Sequence, residues 1–260
     1  MMAEISTTAV ATQVKNPAAR LLEIDTLRAL AIIQMVFYHF VWDLHFFGLY
    51  QGNLFVGPWQ WFARTIATQF LFIAGISLTL SYNREVQCGE THLFFKYFLR
   101  GAKIFGWGLV ITIGTYFFIG RGFVIFGILH LIGFSIMTSY PFLRLNRWLT
   151  LLIGLVMIGV GLYIDGIIVN YAWLIWLGLK QQGRAMVDYY PVLPYGGITL
   201  IGIFTGYTLY RDRLRQFSLP DFSDNSLVIG LRFLGRHSLL IYLIHQPILI
   251  AIFFVLGFRP

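Results

Sequence analysis

Between residues 26 and 257 the sequence is divided into long, nearly uninterrupted apolar runs by short polar gaps. A helix needs about 20 mainly apolar residues to cross a bilayer. Runs of that length fall at about 26–50, 57–82, 93–119, 123–141, 147–165, 190–210 and 237–257. In lipid a backbone must satisfy its own hydrogen bonds, which a helix does within one segment. The expected fold is therefore all-α: a polytopic integral membrane bundle of about seven transmembrane helices. Composition agrees, with 58% hydrophobic and only 12% charged residues, where a soluble domain carries about 25% charged. A single soluble core of 260 residues cannot hide such an apolar surplus.

The gaps carry their own signals. Pro58 falls in the first turn of the second run, where its missing N–H costs nothing. Gly120-Arg121-Gly122 reads as a tight turn between the third and fourth runs. The stretch 166–187 is amphipathic, rich in Trp and Tyr, and contains Lys180 and Arg184; it reads as an interfacial or re-entrant piece. The stretch 211–236 reads as a basic, polar connection with a Pro220-Asp221 turn. Residues 1–20 lack the apolar centre of a signal peptide and are expected to be a short disordered cytoplasmic tail. Residues 21–258 are then one transmembrane domain. The lone Cys88 cannot form an internal disulfide.

A net charge of +8 raises the question of nucleic acid, which the distribution excludes. The basic residues sit in the gaps, as they do in a membrane protein that orients itself by charge. With the N-terminus cytoplasmic, twelve of the 19 Lys and Arg, Lys15, Arg20 and Arg213 among them, fall in cytoplasmic gaps and four in outer ones. That asymmetry predicts an odd number of crossings and a C-terminus outside. No internal repeat suggests the inverted halves of a transporter.

Charged groups in a membrane interior cost at least ~2.5–3.5 kcal/mol each and so need a partner or a function. Most of them lie on the first run. At about 100° per residue, Asp25, Arg28, His39 and Asp43 share one narrow stripe, while His45 falls on the opposite face. His39 and Asp43 are four apart and hence helix neighbours. A carboxylate beside an imidazole fixes its tautomer and stabilises the imidazolium, as a general base requires. His39 and Asp43 are the candidate catalytic residues. Arg28 lies three turns earlier, about 16 Å away at ~1.5 Å per residue. That spacing suits an extended ligand with an anionic group at one end and a reactive group deeper in the membrane. Arg100 and Lys103, with Arg28 and Lys96, are candidates for an anion pocket.

Structural readings stand beside these. Asp25 and Arg28 also suit a helix-start ion pair, with Asp25 at the positive end of the helix dipole. Arg64, early in the second run, would pair with Asp43 if the first two helices are antiparallel neighbours. His130 sits between Gly127 and Gly133, and His245 precedes Pro247, which frees a backbone carbonyl. Asp188 opens the sixth run, where an acid caps a helix. These four and His45 are candidates for substrate binding. No HExxH, GxSxG or phosphate-loop spacing occurs, and no metal is expected.

The segment Glu23-Ile24-Asp25-Thr26-Leu27-Arg28-Ala29-Leu30-Ala31-Ile32, followed by Met35 and Tyr38-His39, resembles the opening of transmembrane acyltransferases. It is most similar to small prokaryotic members of the heparan-α-glucosaminide N-acetyltransferase catalytic-domain family. Phe70-Leu71-Phe72-Ile73-Ala74-Gly75-Ile76-Ser77, Phe126-Gly127-Ile128-Leu129-His130, Asp188-Tyr189-Tyr190-Pro191 and the closing Leu234-Gly235-Arg236-His237 through His245-Gln246-Pro247 resemble it in the same order. Ala29 stands where that family usually has glycine, a small-for-small change. In eukaryotic members the position of His39 can be Asn with a histidine further along, which keeps His45 beside His39 as the base.

The resemblance implies acyl transfer across a membrane. Acetyl-CoA would bind from the cytoplasm, with Asp25, Arg28, Arg100 and Lys103 at its phosphates. The acyl group would pass to a hydroxyl or amine of a sugar or glycan at the outer side. It also implies a multi-pass protein of a bacterial inner membrane. A proton-coupled transporter using the Asp, His and Arg stripe and a non-catalytic scaffold are the competing readings, and both a monomer and a homodimer are left open.

Overall fold

The computed structural model describes residues 21–183, 186–211, 215–220, 222 and 225–259. The expected tail at 1–20 with Lys15 and Arg20, and likewise Arg184, Arg213 and Asp221, lie outside the described residues. The helices are α1 (Leu22–Phe46), α2 (Gly57–Gln87), α3 (Leu93–Ile119), α4 (Ile128–Arg144), α5 (Arg147–Ile164), α6 (Val192–Leu209), α7 (Ser226–Arg236) and α8 (Ser238–Val255). Every one except α4 and α7 is long and apolar enough to cross a membrane.

α4 occupies the fourth expected run but starts at Ile128 and has 17 residues, about 25 Å at ~1.5 Å per residue. Its late start follows from the turn before it. Gly120 and Gly122 take φ of 68° and 98°, a region that glycine enters without steric cost. The chain then stays non-helical to Gly127, where Asp188 and His130 cap the new helix.

Long-range contacts give the direction of each helix. Arg28 meets Ser77 and Gln34 meets Gln69, so α1 and α2 are antiparallel. Asp25 meets Arg236 at one end of the bundle and Phe47 stacks on Phe253 at the other, so α8 runs parallel to α1. Six helices among the described residues meet the spanning length and hydropathy, where the sequence predicts about seven; the remaining expected run is the shorter α4. Three crossings are closed by glycine pairs: Gly75 with Gly202, Gly101 with Gly133, and Gly154 with Gly197. A Cβ at any of them would collide with backbone of the facing helix. Small residues let membrane helices approach this closely, because packing replaces the hydrophobic drive between helices in lipid.

One gap differs from expectation. The connection expected at 211–236 contains α7, an amphipathic helix capped by Asn225, whose side chain accepts from Leu227 N–H and Val228 N–H. Its Leu234 packs on the cluster of Ile32, Met35 and Ile66, while Leu227 and Phe233 are exposed. The alternation of arginine and apolar side chains that makes the stretch look like a loop is the pattern of a helix with two faces. The stretch 166–183, in line with the sequence reading, forms no spanning helix. It folds over one end of the bundle as turns around a two-residue parallel bridge, β1 (Ile168–Val169) to β2 (Lys180–Gln181), with Lys180 2.8 Å from Asp165.

Candidate active site

A cavity of about 1100 Å³ opens at the end of the bundle where α1 begins. Its rim carries Arg28, Arg84, Lys96, Arg100, Lys103 and Arg236, set against the carboxylates of Asp25 and Glu85. The excess of positive charge along this rim is four. On α3, Lys96, Arg100 and Lys103 follow one another at helical spacing on one face, and Trp107 continues the row inward. α2 grades likewise from Arg84 through Ser81 and Ser77 to Phe70. Charged at its mouth and apolar in its depth, the cavity suits an elongated ligand with an anionic head.

Arg28 is held rather than loose. One Nη donates to Asp25 Oδ1 and the other to Ser77 Oγ, both at 2.9 Å. Asp25 is buried and has Arg236 Nε 3.6 Å from its second oxygen. Thus the helix-start ion pair and the cavity wall are the same residues. Gly235 makes this possible, since a Cβ there would run into the Asp25 carbonyl. At the rim, Lys96 pairs with Glu85 at 2.5 Å.

Tyr242 forms part of the cavity lining and leads to two histidines. Its ring centre lies 5.8 Å from that of His245, which lies 4.8 Å from that of His39. Both imidazoles are fixed by carbonyls of their own helices. His39 Nδ1–H donates to the Met35 carbonyl at 3.0 Å, and His245 Nδ1–H to the Tyr242 carbonyl at 2.7 Å. A carbonyl oxygen only accepts, so the proton is on Nδ1 in both rings and each Nε2 carries a lone pair. His245 Nε2 is buried and meets no partner. The two imidazoles, each oriented by its own helix, therefore lie behind Tyr242, one ring removed from the lining of a cationic cavity.

Residues 20–247 match the model of the family described as heparan-alpha-glucosaminide N-acetyltransferase, catalytic. The chain belongs to this family. It is accordingly a multi-pass membrane protein of an acetyltransferase family, and the match covers both the basic cavity and the histidine pair. No curated protein and no solved structure matches the chain.

For a member of this acetyltransferase family, the placement of the remaining expected residues is informative. Arg28, Arg100, Lys103 and Asp25 come together around one cavity. Asp43 does not pair with His39. A helical histidine leans toward the N-terminal turn, so His39 bonds Met35 and turns away from Asp43; Asp43 instead accepts from Gln246 Nε2 at 2.6 Å. Nor do Asp43 and Arg64 form an ion pair among the described residues: the Arg64 guanidinium lies 5.4 Å from the centre of the Trp61 ring.

His130 has both ring nitrogens engaged, Nδ1 accepting from Gly127 N–H at 3.2 Å and Nε2 facing Thr112 Oγ1 at 3.3 Å. Gly108 abuts its ring, and this is the geometry of a packing histidine. Asp188 accepts from Ile128 N–H at 3.1 Å, so it caps α4 rather than its own helix, α6. Burial pushes its carboxyl up to about 6, partly opposed by that hydrogen bond. His45 Nδ1–H donates to the Tyr50 carbonyl at 2.9 Å and closes the turn after α1. Sequence reasoning missed Ser77, Arg236, Tyr242 and Gln246. Only their place within the family-like segments marked them; which helices face each other is not written locally.

Proposed function

We propose that the protein transfers an acetyl group from acetyl-CoA, entering at the basic rim, to a hydroxyl or amine of a sugar or glycan acceptor that arrives from the opposite end. One observation carries this reading: the cavity lined by Arg28, Arg84, Lys96, Arg100, Lys103 and Arg236 also reaches Tyr242, whose ring neighbours His245, itself against His39. The rim would hold the pyrophosphate and ribose phosphate by charge-assisted hydrogen bonds, for which arginine is well shaped. The apolar depth would receive the pantetheine arm. Arg28 and His39 are separated by about 16 Å along α1 at ~1.5 Å per residue, a distance that arm covers.

At the deep end an imidazole Nε2 accepts the proton of the acceptor O–H or N–H as the acceptor attacks the thioester carbon. The carbon–sulfur bond breaks as the new acyl bond forms, and the departing thiolate takes up a proton from the imidazolium. With two imidazoles in contact, one receives the proton and the other is placed to relay it. His39 is the base in this reading and His245 its neighbour. The charge asymmetry of the gaps puts the rim on the cytoplasmic side, where acetyl-CoA is made. The membrane would be a bacterial inner membrane.

Calorimetric titration of the purified protein with CoA tests the cavity. Saturable binding that Arg28→Ala weakens at least about tenfold is expected, since a lost charge-assisted contact is worth roughly 1.5–3 kcal/mol. No binding by the parent protein would contradict the reading.

A further inference from the structure

Asp43 and Gln246 have no part in the chemistry above, yet their contact is costly to build. Asp43 is fully buried, with 0% exposure, on a helix among lipid-spanning neighbours. Its one hydrogen bond to another helix comes from Gln246 on α8. The placement of that bond is specific. Asp43 follows His39 by one helical turn on α1, and Gln246 directly follows His245 on α8. The Asp43–Gln246 bond is therefore the next rung after the His39–His245 contact.

α7 ends at Arg236 and α8 starts at Ser238, so the contacts of Gly235 and Arg236 with Asp25 fix where α8 enters beside the parallel α1. The Asp43–Gln246 bond ties the two helices together much further along, at the depth of the imidazoles. Beyond the rung the seam is aromatic, with Phe47 stacked on Phe253 at 4.9 Å and Phe40 on Phe253 at 6.0 Å. Stacked rings tolerate sliding; a short hydrogen bond to a buried carboxylate does not, because no water is at hand to replace it.

We propose that Asp43 and Gln246 are a positioning pair: their bond holds α8 against α1 at that depth and so sets the spacing of the two imidazoles. The proposal rests on the reading of His39 and His245 as the reacting pair. Asp43 then acts through hydrogen-bond acceptance and not through its charge or a contact with His39.

The test measures thiol release from acetyl-CoA by the purified full-length protein, with glucosamine and with water as acceptor probes. Asp43→Asn keeps an acceptor oxygen and is expected to hold kcat within about threefold, whereas Gln246→Met removes the donor at similar size and lowers kcat about 100-fold, the scale of a 1 Å misplacement. KM for acetyl-CoA stays unchanged in both, because the rim is untouched. The pair Asp43→Asn with Gln246→Glu restores an amide–carboxylate bond in reverse and is expected to keep most of the parent kcat, the signature of coupled neighbours.

Two results overturn the proposal: an Asp43→Asn protein as slow as Gln246→Met, which makes the charge itself essential, or a reversed pair no faster than Gln246→Met. Full turnover in His39→Ala with Asp43 and Gln246 intact overturns the reading beneath it, and is distinguishable because the rung is then unaltered.

Discussion

Asp188 ties α4 to the loop before α6 through one hydrogen bond to Ile128 N–H. Its carboxyl sits at about 6 in the folded protein, against an ordinary 3.8. The folded state therefore binds the proton more tightly than the unfolded chain. Stability from this group is full below about pH 4 and is lost as pH rises through 6, a contribution of at most about 3 kcal/mol. Thermal unfolding in detergent is expected to show a midpoint that falls between pH 4 and 7, and Asp188→Asn to flatten that fall. An unchanged slope in Asp188→Asn would assign the pH dependence elsewhere. His130 gives a complementary prediction. With both ring nitrogens engaged, His130→Ala leaves a void and an unpaired Gly127 N–H, and should cost about 2–4 kcal/mol of stability. Any surviving folded protein should still bind CoA, since His130 does not line the cavity.

Among helices, the points of least tolerance are the glycine pairs. A side chain at Gly75 would meet the Thr199 carbonyl and Gly202 Cα, so Gly75→Ala must push α2 from α6. Overpacking of this kind costs about 1–3 kcal/mol, and moving α2 also displaces Ser77 from Arg28. Gly75→Ala is thus expected to lower both the unfolding midpoint and CoA affinity, whereas Gly114→Ala, with open space around it, should change neither. The apolar runs were readable because lipid imposes a minimum length and excludes charge. α7 was not, since its arginines mimic a loop until Leu234 is seen to pack on Ile32 and Met35 of α1. α4 was found but misplaced at its start, because its caps, His130 and Asp188, lie inside the next turn and sixty residues downstream.

The bundle as a whole sets a basic rim at one end and the His39–His245 contact deeper along α1 and α8, and its sequence disclosed the two unequally. The basic rim was legible because Arg28, Arg100 and Lys103 are expensive in lipid and stand out in apolar runs. The pairing of His39 with His245 instead of Asp43 was not, because it depends on α1 and α8 being parallel neighbours. Cys88, exposed in the connection from α2 to α3 at the rim end, offers a native reporter of orientation. A membrane-impermeant maleimide should label it only after permeabilisation if the rim faces the cytoplasm; labelling in intact cells would invert the orientation.

The most direct test of the account is acetyl transfer itself. Purified protein supplied with acetyl-CoA and an amino-sugar acceptor should release CoA thiol and acetylated acceptor in equal amounts. His39→Ala should bind CoA like the parent while turning over at least about 100-fold more slowly, the scale of a lost general base. Undiminished transfer by His39→Ala, or none by the parent protein that binds CoA, would contradict it.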